Sequence, residues 1–326
     1  MILVTGGAGY IGSHMVLSLL DAGREAVVID NLSTGFRESV PAGATFVQGD
    51  AGDQGLTRSI LRDFDVSAVI HFAASLSVAE SVRAPLEYYK NNTAKTRNLI
   101  EACLEAGVPR FIMSSTAAVY GNPERMPVSE DSPLQPISPY GASKAMGERM
   151  LLDVAAAHAI DYVILRYFNV AGADPAGRAG QRSCMATHLI KVAMEAAVGK
   201  RDGLTVFGSD YPTRDGTCIR DYVHVSDLVS AHMRALEHLE AGGESLILNC
   251  GYGRGYTVRE VLQAVQAAID KPLAIRDGPP RPGDPAELVA DNRRILERLG
   301  WRPQHDDLGF IVRTARAFEM SLLADG

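Results

Sequence analysis

Tyr140 and Lys144 stand four residues apart in the run Ser138-Pro139-Tyr140-Gly141-Ala142-Ser143-Lys144. On a helix that spacing puts both side chains on one face, and an ammonium beside a phenol favours the phenolate. A phenol whose unperturbed pKa is about 10 becomes in this way a candidate general base near neutral pH. The same spacing occurs on ordinary solvated helices, so the pair needs a second site to give it meaning. The chain opens on one: Val4-Thr5-Gly6-Gly7-Ala8-Gly9-Tyr10-Ile11-Gly12. Gly6, Gly9 and Gly12, placed between an apolar strand and an apolar helix, allow a tight turn whose backbone amides and helix dipole face a pyrophosphate. One site would hold a dinucleotide, and the other would move a proton beside it.

Asp30 closes the second strand, where a carboxylate can accept both hydroxyls of an adenosine ribose and repel a 2′-phosphate, which favours NAD over NADP. The plainer alternative is that Asp30 caps the turn with Asn31. Asp50, in Gln48-Gly49-Asp50-Ala51-Gly52-Asp53, is placed after the third strand to accept from an adenine amino group, while Asp53 suits a helix N-cap. The hydroxyl of Thr116, at the end of a further strand, can join Tyr140 in holding a substrate alcohol.

These residues need a scaffold that brings strand ends together. Short apolar runs alternate with helical periods: Ile2 to Val4, Gly12 to Ala22, Ala26 to Ile29, Leu56 to Arg62 and Ala68 to Ile70. The alternation continues through a helix at Leu86 to Ala106, a strand at Arg110 to Ser114, a helix at Ser143 to His158 and a strand at Tyr162 to Tyr167. It reads as an α/β doubly wound parallel sheet, Rossmann-like, with Gly6, Asp30, Asp50, Ala73 and Thr116 at the carboxyl ends of strands. After Asn169 the texture changes, with a Gly/Asp/Pro-rich stretch and then a helix over Thr187 to Val198. The expected division is therefore 1–168 for the dinucleotide and 169–326 for a second, smaller mixed α/β substrate domain, with a segment at about 221–240 packing back on the first.

Composition narrows the partners. The chain has 326 residues, 46% hydrophobic and 22% charged, with a net charge of -7. That balance describes a soluble globular protein without a basic face for nucleic acid. An anionic ligand would then rely on a few local arginines, Arg220 and Arg281 being candidates. Cys103, Cys184, Cys218 and Cys250 form no Cys-x-x-Cys pair and the eight histidines show no metal-ligand spacing, so reduced structural thiols and no metal are expected. No leader pattern and no long apolar run stand out, which points to a cytoplasmic chain away from membranes.

The strings Thr5 to His14, Asp30-Asn31-Leu32-Ser33, His71-Phe72-Ala73-Ala74, Ser114-Ser115-Thr116, Pro139-Tyr140-Gly141 with Lys144, and Arg166-Tyr167-Phe168-Asn169 together resemble the extended short-chain dehydrogenase/reductase family. Phe207-Gly208, Tyr211 to Val225 and Arg281-Pro282-Gly283-Asp284 narrow the likeness to its members that invert C4′ of UDP-hexoses. The resemblance implies NAD-dependent interconversion of UDP-galactose and UDP-glucose, with Thr116, Tyr140 and Lys144 catalytic. It implies that Gly6, Gly9, Tyr10, Ile11, Gly12, Asp30, Asn31, Ser33, Asp50, Ala51, Phe72, Ala73, Ala74, Asn92, Lys144 and Phe168 line the cofactor. Asn169, Leu189, Phe207, Arg220, Arg281, Asp284 and Leu288 would meet the nucleotide sugar beside Thr116 and Tyr140, the two arginines neutralising its diphosphate.

Two positions depart from the family pattern. Leu76 stands where a lysine is common, and Leu288 stands where a tyrosine or a small residue sets the permitted sugar size. N-acetylated hexoses, pentoses and uronates therefore stay open as alternative sugars. The related 4,6-dehydratases carry an Asp-Glu pair where this chain has Ala117-Ala118, so elimination lacks its acid and base. A non-catalytic NAD sensor is the reading from another class, and the intact Thr116, Tyr140 and Lys144 argue against it. The resemblance also implies a homodimer formed through the helices at Leu86 to Ala106 and Ser143 to His158.

Overall fold

The computed structural model describes residues 1–182, 186–281 and 284–324. The first half alternates strands and helices: β1 (Ile2–Thr5), α1 (Tyr10–Asp21), β2 (Ala26–Asp30), β3 (Thr45–Gln48), α2 (Gln54–Asp63), β4 (Ala68–His71), α3 (Val78–Arg83) and α4 (Pro85–Tyr88). It continues through α5 (Lys95–Ala106), β5 (Arg110–Thr116), α6 (Pro139–Ala157) and β6 (Asp161–Tyr167). Then follow β7 (Asn169–Ala171), α7 (Leu189–Ala197), β8 (Leu204–Phe207), β9 (Ile219–His224), α8 (Val225–Glu240), β10 (Leu246–Cys250), β11 (Gly255–Thr257) and α9 (Val258–Ala267). The chain closes with β12 (Ile275–Gly278), β13 (Glu287–Leu288), α10 (Arg293–Arg298) and α11 (Leu308–Ala324).

Seven strands form one sheet in the order β10-β6-β5-β4-β1-β2-β3, and every pairing in it is parallel. The continuous apolar runs are explained by burial on both faces. Ile2 and Val4 of β1 pack with Met15, Val16 and Leu19 of α1 and Leu228 and Leu236 of α8 on one side. Leu3 between them packs with Ile60 and Leu61 of α2 and Leu99 and Cys103 of α5 on the other. From β1 the order runs to β2 and β3 in one direction and to β4, β5 and β6 in the other. The crevice at such a reversal is where doubly wound sheets bind ligands, and the loops after β1 and β4 meet there.

Three features differ from the sequence expectation. The helix expected from Ser143 begins at Pro139, because the Ser138 side chain accepts from the Gly141 amide and Pro139 occupies the first turn, a serine cap followed by proline. The single helix expected over Leu86 to Ala106 is divided by a π-helical turn, Tyr89–Ala94. The segment returning to the first body runs beyond about 221–240, since α8 lies against α1 and β10 pairs with β6 as the seventh strand.

The remaining elements make the smaller mixed layer. β9 pairs parallel with β7 and β13 and antiparallel with β11, while β8 and β12 form a separate parallel pair. Their core gathers Ile190 and Met194 of α7, Val261 and Val265 of α9, and Ile311 and Val312 of α11.

Candidate active site

The glycine turn is built by close approach. Gly6 has φ +72°, and a Cβ there would lie 2.7 Å from the Ala73 amide nitrogen. A Cβ on Gly12 would lie 2.2 Å from the Gly6 carbonyl oxygen, so neither position tolerates a side chain. α1 starts at Tyr10 without a side-chain cap. Among the described residues, the first of its amides with a partner outside the helix is that of Ser13, which donates to the Gly9 carbonyl at 3.0 Å. The amides of Tyr10, Ile11 and Gly12 are thus directed at the crevice as an anion site. These residues fit the pyrophosphate of a dinucleotide.

Asp30 bears on the same turn. One carboxylate oxygen accepts the Ala8 amide at 3.0 Å and the other the Leu32 amide at 2.8 Å. It caps its turn, as the plainer reading holds, and each oxygen keeps a lone pair for a ribose hydroxyl. Asn31 accepts from the Ser33 amide at 3.0 Å. Asp50 accepts from the Gly52 amide and pairs with Lys95 at 2.6 Å, with Ala51 beside it, while Asp53 caps α2 by accepting from Leu56. Phe72 packs on His232 with ring centroids 4.9 Å apart. Ala73 donates to the Thr5 hydroxyl at 3.3 Å, and Ala74 follows in the same loop.

On the facing side, β5 presents three successive hydroxyls to α6. The Thr116 hydroxyl oxygen accepts from the Ala118 amide at 3.2 Å. Ser114 accepts from the Lys144 ammonium at 3.5 Å. Ser115 donates to Glu148. Residues 140, 144 and 148 repeat at four, so one helix face meets one strand end.

The electrostatics differ from the simple expectation that Lys144 lowers the phenol. Burial raises Tyr140 above its usual value, with the Thr116 hydrogen bond pulling it down. Burial also lowers Lys144 to about 8, and Glu148 one turn along opposes that loss of charge. Glu148 is in turn clamped by Arg166, whose guanidinium donates at 2.6 and 3.0 Å. Arg166 also donates to the Tyr120 hydroxyl at 3.0 Å, which donates to Asn249 at 2.6 Å. Sequence reasoning did not assign Glu148 or Asn249. The recurrence of Glu148 at four residues from Lys144 was the available signal for the first, and Asn249 had none.

Asn92 lies on the π-helical turn with its amide engaged by Ser75 and Ser143. Phe168 packs in a cluster with Leu288, Ala117 and Val119. Leu76 is exposed and offers no cation to the crevice.

In the second layer, Asn169 and Leu189 line one cavity together with Gly172, His188 and Tyr222. Arg281 stacks over the Phe207 ring at 4.0 Å. Arg220 donates to its neighbour's carbonyl on Ile219 at 2.8 Å and faces Asp284 at 3.5 Å. Pro282 and Gly283 of the Arg281 to Asp284 string lie outside the described residues, as does Cys184. Cys103, Cys218 and Cys250 are free and buried. No metal-holding group of His, Cys, Asp or Glu occurs among the described residues.

Residues 2–251 match the model of the NAD dependent epimerase/dehydratase family. The chain is 57% identical to UDP-glucose 4-epimerase of Azospirillum brasilense over 98% of its own length and 92% of that protein's. It superposes on the Brucella ovis UDP-glucose 4-epimerase in complex with NAD at a TM-score of 0.93, with 45% identity and 98% of each chain covered. The UDP-glucose-4-epimerase of Stenotrophomonas maltophila, with bound NAD and formylated UDP-arabinopyranose, aligns at a TM-score of 0.95 and 35% identity over 100% of this chain and 99% of that one.

Proposed function

This chain belongs to the NAD dependent epimerase/dehydratase family, and from that premise we propose how its own residues interconvert UDP-galactose and UDP-glucose. The observation that supports the reading is that α6 carries Tyr140 and Lys144 against the carboxyl end of β5, where the Lys144 ammonium donates to Ser114 two residues before Thr116. Bound NAD, cradled by the turn of Gly6, Gly9 and Gly12 and by Asp30, would supply a reversible hydride acceptor for C4′, so that nothing external need be consumed.

Tyr140, as phenolate, takes the proton of the 4′-hydroxyl, and Thr116 holds that oxygen in place. The product is a 4-keto sugar. Its hexose turns about the diphosphate before Tyr140 returns the proton and the configuration is inverted. Binding must therefore be strong at UDP and loose at the pyranose. Arg220 and Arg281 suit the diphosphate, Phe207 and Asp284 the uridine end, and Asn169 and Leu189 the cavity between. Ala117 and Ala118 bring no carboxyl group to the sugar, which supports epimerisation over dehydration.

The sugar pocket leaves a second reading. Leu288, packed against Phe168, is smaller than a tyrosine, so 4-epimerisation of UDP-N-acetylhexosamines, UDP-pentoses or UDP-uronates is the alternative. The Stenotrophomonas maltophila neighbour, bound to a formylated UDP-pentose, favours keeping it.

A homodimer is part of the proposal. The exposed Leu86 and Met146 and a groove of Tyr89, Thr93, Arg97 and Met150 make an apolar face on the α4–α5 and α6 helices suited to a second copy. No described helix is long and apolar enough to cross a membrane, and we assign the enzyme to the cytoplasm. Incubation with UDP-galactose, without added reductant, should yield UDP-glucose on chromatography, and Tyr140→Phe should abolish the conversion. Normal turnover by that variant would overturn the mechanism.

A further inference from the structure

Tyr88 and Glu80 play no part in the chemistry above, yet they sit behind its base. The chain leaves β4 through Phe72, Ala73 and Ala74, passes the exposed Leu76, and returns as α3 and α4 toward α6. Tyr88, the last residue of α4, is 2% exposed. Its ring meets that of Tyr140 edge-on, with centroids 6.5 Å apart and planes at 87°. The Tyr88 hydroxyl accepts the Ser77 amide at 2.9 Å and donates to the Glu80 carboxylate at 2.8 Å. That oxygen thus both accepts and donates, its hydrogen going to Glu80.

A second tie holds the same loop. Asn92, on the π-helical turn, accepts from the Ser75 amide at 2.8 Å and donates to the Ser75 carbonyl at 3.0 Å. It also donates to the Ser143 hydroxyl at 3.1 Å, and that hydroxyl donates to the Tyr140 carbonyl at 2.7 Å. A π-helical residue shifts the side chains beyond it by about 100°, so the widened turn sets how Asn92 faces the loop relative to Tyr88. The loop at 75–77 is therefore stitched twice, once to the backbone of Tyr140 and once to its ring.

We propose that Tyr88 and Glu80 are positioning residues for Tyr140. Glu80 fixes the Tyr88 hydroxyl, and the edge of the Tyr88 ring then limits the swing of the Tyr140 ring, so the phenol oxygen meets the 4′-hydroxyl in one orientation. The proposal rests on Tyr140 being the base. An aromatic pair in edge contact contributes directional packing beyond area, and small misplacement of a reacting group is costly.

The test compares Tyr88→Phe, Glu80→Ala and their double variant with the parent and with Tyr140→Phe, using UDP-galactose and its C4′-deuterated form. Tyr88→Phe keeps the ring and removes the hydroxyl. The expected result is a fall in kcat of about tenfold with KM within about twofold, together with a larger deuterium effect as the chemical step becomes limiting. Glu80 is exposed, so Glu80→Ala folds, and it should reproduce that loss with the double variant no worse. Glu80→Gln, which keeps an acceptor oxygen, should restore most of kcat. Parental kcat in Tyr88→Phe, independent multiplying losses, or a lowered Tm with an unchanged deuterium effect would each overturn the proposal. Turnover by Tyr140→Phe would instead remove the reading on which it rests, so the two failures are told apart.

Discussion

The guanidinium of Arg281 lies over the ring of Phe207, 4.0 Å from its centroid, so the cation and the aromatic face proposed for the nucleotide satisfy each other. The second arginine is held in the same manner, Arg220 by Asp284 at 3.5 Å. If these residues hold the nucleotide as proposed, substrate exchanges these contacts for its own phosphates and base.

Arg281→Ala should therefore raise KM for UDP-galactose by about 10- to 100-fold while kcat changes little, since the diphosphate contact is equal in ground and transition states. Phe207→Leu should raise KM less. Steady-state kinetics check both, and an equal fall in kcat for Arg281→Ala would place the residue nearer the chemistry.

Gly12→Ala should cost about 1–3 kcal/mol and release the cofactor. Its new Cβ would press on the Gly6 carbonyl at 2.2 Å and the Gly7 Cα at 2.8 Å, both backbone. Gly23→Ala is the control, because Gly23 has φ +69° with nothing near the added carbon. It should lower Tm through backbone strain alone and leave the bound NAD, read from the absorbance ratio of purified protein, unchanged.

The pH profile follows from the Tyr140 and Lys144 pair. Lys144 is lowered to about 8 and Tyr140 is raised, so the first proton leaves the pair near pH 8. Phenolate with ammonium and phenol with amine carry the same proton count and grow in together. The log of kcat/KM should rise with pH and level off at or below about pH 8, lower still under the positive charge of oxidised nicotinamide. Lys144→Met should move the limb upward, because Tyr140 then titrates alone. A limb unmoved in that variant would contradict the pairing.

Stability should fall on acidification between pH 6.5 and about 4. Burial lowers His71 and His224 to about 3, and His14 and His232 to about 4. These histidines are neutral in the fold and bind protons when it opens, so their contribution is present above the unfolded value of about 6.5 and lost as pH falls toward the folded one. Asp221, raised to about 6 by burial, opposes them, since the folded state holds its proton more tightly over that window. The urea midpoint should drop from pH 7 to pH 5. His71→Gln, which removes the imidazole bridging Thr5 at 2.7 Å and Thr96 at 2.9 Å, should flatten the slope.

Five of the first six strands, β1, β2, β4, β5 and β6, could be read from apolar runs, and Tyr140 with Lys144 from helical spacing, because each depends on neighbours a few residues away. Asp53 as a cap was legible on the same ground. β10 was not, since Leu246 to Cys250 is an apolar run whose partner, β6, is chosen by the completed sheet and not by its own sequence. The start of α6 was placed four residues late because its first turn carries Pro139 and Gly141, poor formers rescued by Ser138. The raised phenol of Tyr140 and the tie between Tyr88 and Glu80 depend on burial and on pairs across elements, which spacing does not encode.

β10 also governs the order in which the sheet is finished. β6 is complete by Tyr167, but the strand that covers its outer edge begins only at Leu246. At ribosomal speeds about eighty residues take roughly 4–16 s to emerge. Through that interval β6 lacks its outer partner, and its row of amides and carbonyls on that side is open to any passing strand. The nascent chain is thus most exposed to mispairing late in synthesis, after its nucleotide crevice has been laid down, and a truncation ahead of Leu246 would leave that edge permanently unsealed.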